Sequence, residues 1–160
     1  MGILTVSDKG AAGKRTDTSG PELARLLPLQ HFQVAAYQVV PDEYEAIVDQ
    51  LVAWSDAERL DLILTTGGTG LSPRDVTPEA TLAVAQRLVP GLPEAMRAAG
   101  LSKTPHAMLS RGVAAIRGHT LILNLPGSPK GARENLEAVL PALPHALEKL
   151  KGSQVECGTL

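Results

Sequence analysis

Residues 60–70 read Leu60-Asp61-Leu62-Ile63-Leu64-Thr65-Thr66-Gly67-Gly68-Thr69-Gly70, and residues 71–79 continue Leu71-Ser72-Pro73-Arg74-Asp75-Val76-Thr77-Pro78-Glu79. Leu62, Ile63 and Leu64 are apolar at consecutive rather than alternating positions. A strand covered on both faces has that pattern, so residues 60–65 are predicted to lie in a parallel sheet. The glycines then allow a sharp turn. Thr77-Pro78-Glu79 supplies the cap, the N1 proline and the early acid that open a helix. Strand, glycine loop and helix in this order make one βα unit.

Working outward, the unit recurs. Met1–Val6 predicts a first strand that stops at Ser7-Asp8. Residues 8–19 are polar and read as a long loop, which in a compact domain is usually functional or disordered. A helix follows with Pro21 in its first turn and Leu23, Leu26 and Leu27 on its inner face. Residues 33–40 predict a second strand ended by Pro41. Asp42 suits the N-cap of the next helix, with Glu45 at the reciprocal capping-box position. Ile47, Val48, Leu51 and Val52 form one stripe of that helix, to about Ser55. A helix over 92–99 is expected to stop at Gly100. Residues 112–116 suit a short strand and 121–125 a buried one. The last helix carries Leu136, Val139, Leu140, Leu143, Leu147 and Leu150, and Pro141 and Pro144 should kink or split it. This alternation predicts an α/β fold: three-layer, doubly wound, a mostly parallel sheet with helices on both faces. A chain of 160 residues suits one domain. Its expected span is 1–152, with a flexible tail over 153–160.

Composition removes several functions. Net charge is −2 and the pI about 6.1, so a basic field for nucleic acid is absent. Aromatic residues are 2% (Phe32, Tyr37, Tyr44 and Trp54), too few for a base-stacking platform. Cys157 is the single cysteine, which excludes an internal disulfide and multi-cysteine metal sites. His31, His106, His119 and His145 are scattered and form no ligand pair. No apolar run approaches the roughly 18–20 residues of a membrane helix, and no leader-like segment opens the chain. A cytoplasmic protein with no nucleic-acid or membrane partner is expected.

Ligands of open α/β sheets bind at the carboxyl ends of the strands. Residues 7–9, 41–42, 65–75 and 126–130 fall there and should converge on one rim. Thr66–Gly70 could hold a phosphate through exposed backbone N–H groups, or need glycine only for its dihedrals. It is neither a Walker A loop, lacking GKS or GKT, nor a dinucleotide fingerprint, because Pro73 stands where the last glycine belongs. Asp42 and Asp75 could share a magnesium ion beside phosphates; the alternatives are a helix cap and a turn residue or Arg74 partner. Lys130, in the loop Pro126-Gly127-Ser128-Pro129-Lys130-Gly131, suits a phosphate or simply solvent. Ser110-Arg111 is either a polar contact or a surface turn. From these residues alone an anion-binding α/β domain is expected, with nucleotide and magnesium one open reading of its acids and no substrate specified.

The residues quoted also carry a resemblance. Thr65–Gly70 with Pro73-Arg74-Asp75-Val76-Thr77-Pro78-Glu79-Ala80 resembles one signature of the molybdenum-cofactor biosynthesis domain. Leu121-Ile122-Leu123-Asn124-Leu125-Pro126-Gly127-Ser128-Pro129-Lys130-Gly131 resembles a second. Leu4–Asp8, Asp17–Gly20 and Val40–Glu43 match as well, so the likeness runs from residue 2 to about 150. Within that family the pattern is most similar to molybdopterin adenylyltransferases, including the N-terminal domain of gephyrin. The resemblance implies a doubly wound homotrimer that transfers AMP from ATP to molybdopterin with Mg2+, upstream of a molybdenum insertase. It implies that Asp42 and Asp75 are the catalytic, metal-binding acids. Thr66, Gly67, Gly68, Thr69 and Gly70 would cradle the pterin or its phosphate. Ser7, Asp8, Ser110, Pro126, Gly127, Ser128 and Lys130 would complete the pocket. Residues 9–16 do not follow the family pattern. The alternatives are a sister MoaB-type pterin-binding protein and a non-catalytic molybdopterin carrier or scaffold.

Overall fold

Side chains alternate across a strand, so consecutive apolar residues must meet two separate cores. In the computed structural model, which describes residues 1–27 and 32–153, they do. Strands β1 (Gly2–Val6), β2 (Ala36–Val40), β3 (Leu62–Thr66), β4 (Arg87–Leu88), β5 (Ala114–Arg117) and β6 (Thr120–Leu125) form one sheet in the order β2-β1-β3-β6-β5-β4. The first four in that order run parallel; β5 and β4 are antiparallel additions. One face sets Ile3, Leu62, Leu64, Leu121 and Leu123 against α2 (Ser19–Leu26), α5 (Gly91–Leu101), α6 (Pro129–Val139) and α7 (Leu143–Leu150). The opposite face sets Leu4, Ile63 and Ile122 against α3 (Tyr44–Val52) and α4 (Thr77–Val84), with Trp54 in the same cluster. Each of these strand side chains is at most 1% exposed, which removes about 1.5–3 kcal/mol worth of apolar surface apiece from water. Among the described residues no helix is long and apolar enough to cross a membrane.

The chain leaves β1 toward β2 on one side and returns past β1 to β3 on the other. The reversal puts the topological switch point, and hence the ligand crevice, between the carboxyl ends of β1 and β3.

Several local expectations are corrected. Asp42 caps no helix: Glu43 holds the N-cap position of α3 and its side chain makes no cap bond. Thr77 is likewise the first residue of α4 rather than its cap. Gly100 does not stop α5 but lies within its last turn, where a Cβ would come 2.7 Å from Ala107 Cβ. The polar stretch after β1 contains a one-turn helix, α1 (Asp8–Ala11), capped by Ser7 Oγ accepting from Gly10 N. Strand β2 starts at Ala36 rather than 33, and β4 has no counterpart among the expected strands. A π-turn (Ala53–Ala57) follows α3, and a 3-10 turn (Leu140–Ala142) divides α6 from α7, as the prolines predict. His31, Cys157 and the tail from residue 154 lie outside the described residues.

Asn124 is a polar residue in an apolar strand. It is 1% exposed, and its Nδ2 donates to Thr65 Oγ1 at 3.0 Å and Thr81 Oγ1 at 2.9 Å while Oδ1 accepts Val113 N at 3.2 Å. Both amide donors and the carbonyl are therefore partnered. Asn124→Leu keeps the volume but strips partners from buried groups on three segments. It should lower unfolding free energy by about 2–4 kcal/mol, read by urea denaturation.

Candidate active site

The switch point is built by glycine. Gly67 has φ +105°, and a Cβ there would lie 2.2 Å from Val6 O, so the β3 loop crosses the end of β1 at backbone contact. Gly68 has φ +63°, and its Cβ would meet Thr77 Oγ1 at 2.3 Å. Thr77 needs that place: its hydroxyl donates to Gly67 O at 2.9 Å and its amide to Gly68 O at 3.1 Å. Gly127 completes the layer, where a Cβ would approach Gly67 Cα at 3.1 Å. Thr66 Oγ1 donates to Pro126 O, which ties the two glycine loops together, and Ser19 Oγ at the start of α2 donates to Gly127 O, both at 2.7 Å.

Around this floor the acids are held by amides and one arginine. Asp8 N donates to Asp42 Oδ2 at 2.7 Å, and Asp42 N returns a bond to Asp8 Oδ1 at 3.0 Å. Arg74 donates to Asp8 Oδ1 at 2.8 Å and to Glu43 Oε1 at 2.8 Å. Its guanidinium holds the Asp8 carboxyl below the usual range. Asp42 moves the other way: burial raises it, and the charges of Asp8 and Asp75 add to the rise against the Asp8 amide and Arg74. Arg74 therefore serves Asp8 and Glu43, and no ion pair joins it to Asp75 among the described residues. Asp75 Oδ2 accepts Ser72 N at 2.8 Å, so it is a turn residue that keeps its other oxygen available.

Arg111, which in the sequence reads as either a polar contact or a surface turn, clamps the turn at Asp75. It donates to Gly70 O at 2.7 Å and Asp75 O at 2.5 Å, and it pairs with Glu79. Asp17, also outside the expected set, accepts from Thr5 Oγ1 at 2.6 Å, Tyr37 OH at 2.5 Å and Ser19 N at 2.9 Å. Burial pushes Asp17 up, but these donors outweigh it and its carboxyl sits below the ordinary value. Burial and the bond to Asp17 push the Tyr37 hydroxyl up to about 12.

Two clefts open on the rim. The first, of about 340 Å³, is walled by Ser7, Arg15, Ser19 and Asp42. The second, of about 470 Å³, is walled by Thr69, Gly70, Asp75, His106, Leu109 and Ser110. Gly68, Gly127 and Ser128 belong to both. The four loops thus converge as expected, with Asp42 in one cleft and Asp75 in the other. Thr66 contributes backbone only, since its hydroxyl is spent on Pro126. Asp8 and Lys130 line neither cleft, and Lys130 is exposed.

The acids fit a hard cation. Burial is the main cause of the Asp42 rise, and the charges of Asp8 and Asp75 add to it; a divalent ion would relieve that added repulsion. Among the described residues no group of three or more His, Cys, Asp or Glu forms a cage. Two carboxylates completed by water and substrate phosphates are the usual magnesium arrangement.

The shift of Asp42 has a testable sign. Its folded value lies above the ordinary 3.8, so ionised Asp42 weakens folding. That penalty is absent below the unfolded value and grows in as pH rises through the folded one. Asp42→Asn keeps an acceptor for the Asp8 amide and loses the charge. At pH 7 the ligand-free variant should melt about 1–2 °C higher, a fraction of a kcal/mol in a chain this size. The gain should vanish near pH 3. A lower melting temperature at pH 7 would show that the charge supports the fold.

The family described as "Probable molybdopterin binding domain" matches residues 2–145. The molybdopterin adenylyltransferase of Helicobacter pylori strain 26695 is 41% identical over 162 residues, covering 98% of this chain and 90% of its own length. Gephyrin of Dictyostelium discoideum is 47% identical over 157 residues and 92% of this chain, which spans only 22% of that longer protein. The crystal structure of the molybdopterin biosynthesis enzyme MoaB from Thermus thermophilus superposes with a TM-score of 0.91 at 63% identity, covering 95% of this chain and 96% of that one.

Proposed function

The chain belongs to the molybdopterin-binding domain family of molybdenum cofactor biosynthesis, and on that premise we propose that it is a molybdopterin adenylyltransferase. The observation that carries this reading is the pair of clefts that meet over Gly68, with Asp42 in one and Asp75 in the other. A reaction between two bound substrates needs adjoining sites.

The terminal phosphate oxygen of molybdopterin attacks the α-phosphorus of ATP. The new P–O bond replaces the bond to the β-phosphate, and pyrophosphate leaves with its electron pair. The attacking group is already an anion, so the protein supplies position and charge rather than a nucleophile. Gly67, Gly68 and Gly127 let backbone approach the phosphates. Ser128 caps α6 through Gly131 N and points the first turn of that helix toward the shared floor, where an anion is favoured. Asp42 and Asp75 would hold magnesium, which supplies neutralisation of phosphate charge when bound. Thr69, Gly70, Ser110 and Pro126 form the pterin side.

A second reading is a sister MoaB-type protein, the type named for the Thermus structure; in this chain it would bind pterin without AMP transfer. One assay separates them: protein, molybdopterin, ATP and magnesium, followed for pyrophosphate and adenylylated pterin. AMP transfer that disappears without magnesium supports the enzyme; tight pterin binding with no transfer supports the second reading. The same proposal makes the domain over 1–152 a cytoplasmic homotrimer that hands its product to a molybdenum insertase. Light scattering tests the assembly.

A further inference from the structure

Among the described residues, one Lys or Arg side chain lines either cleft, and it is Arg15. It stands in the loop between α1 and α2. Arg25, Arg74, Arg111, Arg117 and Arg133 all pair with carboxylates, and Arg97 donates to the Ser110 and Gly112 carbonyls. Arg15 makes no hydrogen bond or ion pair among the described residues. Asp17, two positions on, is already filled by Thr5, Tyr37 and Ser19. Arg15 is thus an exposed guanidinium on the wall of a cleft whose other charged side chains, Asp17 and Asp42, are acids.

A nucleoside triphosphate entering beside those acids carries charge that two carboxylates repel. An arginine fork matches phosphate oxygens two at a time. The second cleft, with Ala107, Leu109 and Pro126 in its wall, is the more apolar of the two and suits a flat ring. We propose that Arg15 grips the β- and γ-phosphates of ATP, the part that leaves as pyrophosphate. The first cleft is therefore the polyphosphate side of the site. This inference rests on the adenylyltransferase reading and names the residue that binds its leaving group.

The test compares the unsubstituted protein with Arg15→Gln and Arg15→Lys. Pyrophosphate with magnesium is titrated calorimetrically, pterin affinity is read from its absorbance, and KM for ATP is measured with kcat. Losing a charge-assisted fork should weaken pyrophosphate binding and raise KM for ATP about tenfold, with a smaller effect on kcat. Pterin affinity should hold, and Arg15→Lys should recover part of the loss as a point charge without the fork. Unchanged pyrophosphate affinity in Arg15→Gln overturns the proposal, as does a loss that falls on the pterin instead. Absence of AMP transfer by the unsubstituted protein overturns the enzyme reading separately, since the calorimetric arm does not depend on turnover.

Discussion

Asp75→Asn should cut AMP transfer by about 100-fold or more, the scale seen when one electrostatic group is removed from a reacting centre, and leave pterin binding nearly intact. The substitution is isosteric. Asn Oδ1 can still accept the Ser72 amide that Asp75 Oδ2 accepts at 2.8 Å. The turn is also held from outside the side chain, by Arg111 on the Gly70 and Asp75 carbonyls. The backbone should therefore stay in place, and the measured loss should report the negative charge alone. Equal losses in pterin affinity and turnover would make Asp75 a structural turn residue. Magnesium dependence adds a second reading: the variant should need more magnesium for half-maximal rate, because one of two carboxylates is gone.

Gly67→Ala should be the most destabilising single methyl in the chain, at about 2–4 kcal/mol, or roughly 5–15 °C in melting temperature. Two costs add. An alanine at φ +105° is strained by itself. Its methyl would also start 2.2 Å from Val6 O, a main-chain atom at the carboxyl end of the inner strand β1 that cannot swing aside as a side chain could. Gly13 separates the two costs. It has φ +67° but nothing within 4 Å of where a Cβ would stand, so Gly13→Ala should lose only the conformational part, about 1 kcal/mol. Similar losses at both positions would mean that the loop can move away from β1.

Much of this could be read from the chain. The runs 62–64 and 121–125 announce doubly covered strands because their apolar residues do not alternate. The four rim loops follow from strand order alone. What escaped the reading depends on partners distant in sequence. Pro41-Asp42-Glu43-Tyr44-Glu45 has the grammar of a helix start, yet Asp42 turns to the amide of Asp8, 34 residues earlier. Gly100 looks like a helix stop; its reason is Ala107 packing on α5. Strand β4 is two exposed residues with no period to detect. Arg111 and Arg15 were hidden for opposite reasons. The side-chain donors of Arg111 reach mostly carbonyl oxygens, which leave no mark in sequence, and Arg15 sits in a polar loop where any residue would look solvated.

The Asn124 amide also bears on how the chain finds its fold. The core strand β6 is flanked by near-identical leucines and isoleucine, and apolar residues alone would pack almost as well after sliding by one position. A one-residue slip would turn Asn124 away from Thr65 and Thr81 into the leucine-lined face opposite, where it would lose both hydroxyl partners. The mispaired chain thus carries a desolvated amide that the correct one does not. A single buried side chain thereby widens the energy gap between the native pairing and its nearest competitor, acting as a proofreading element for sheet assembly.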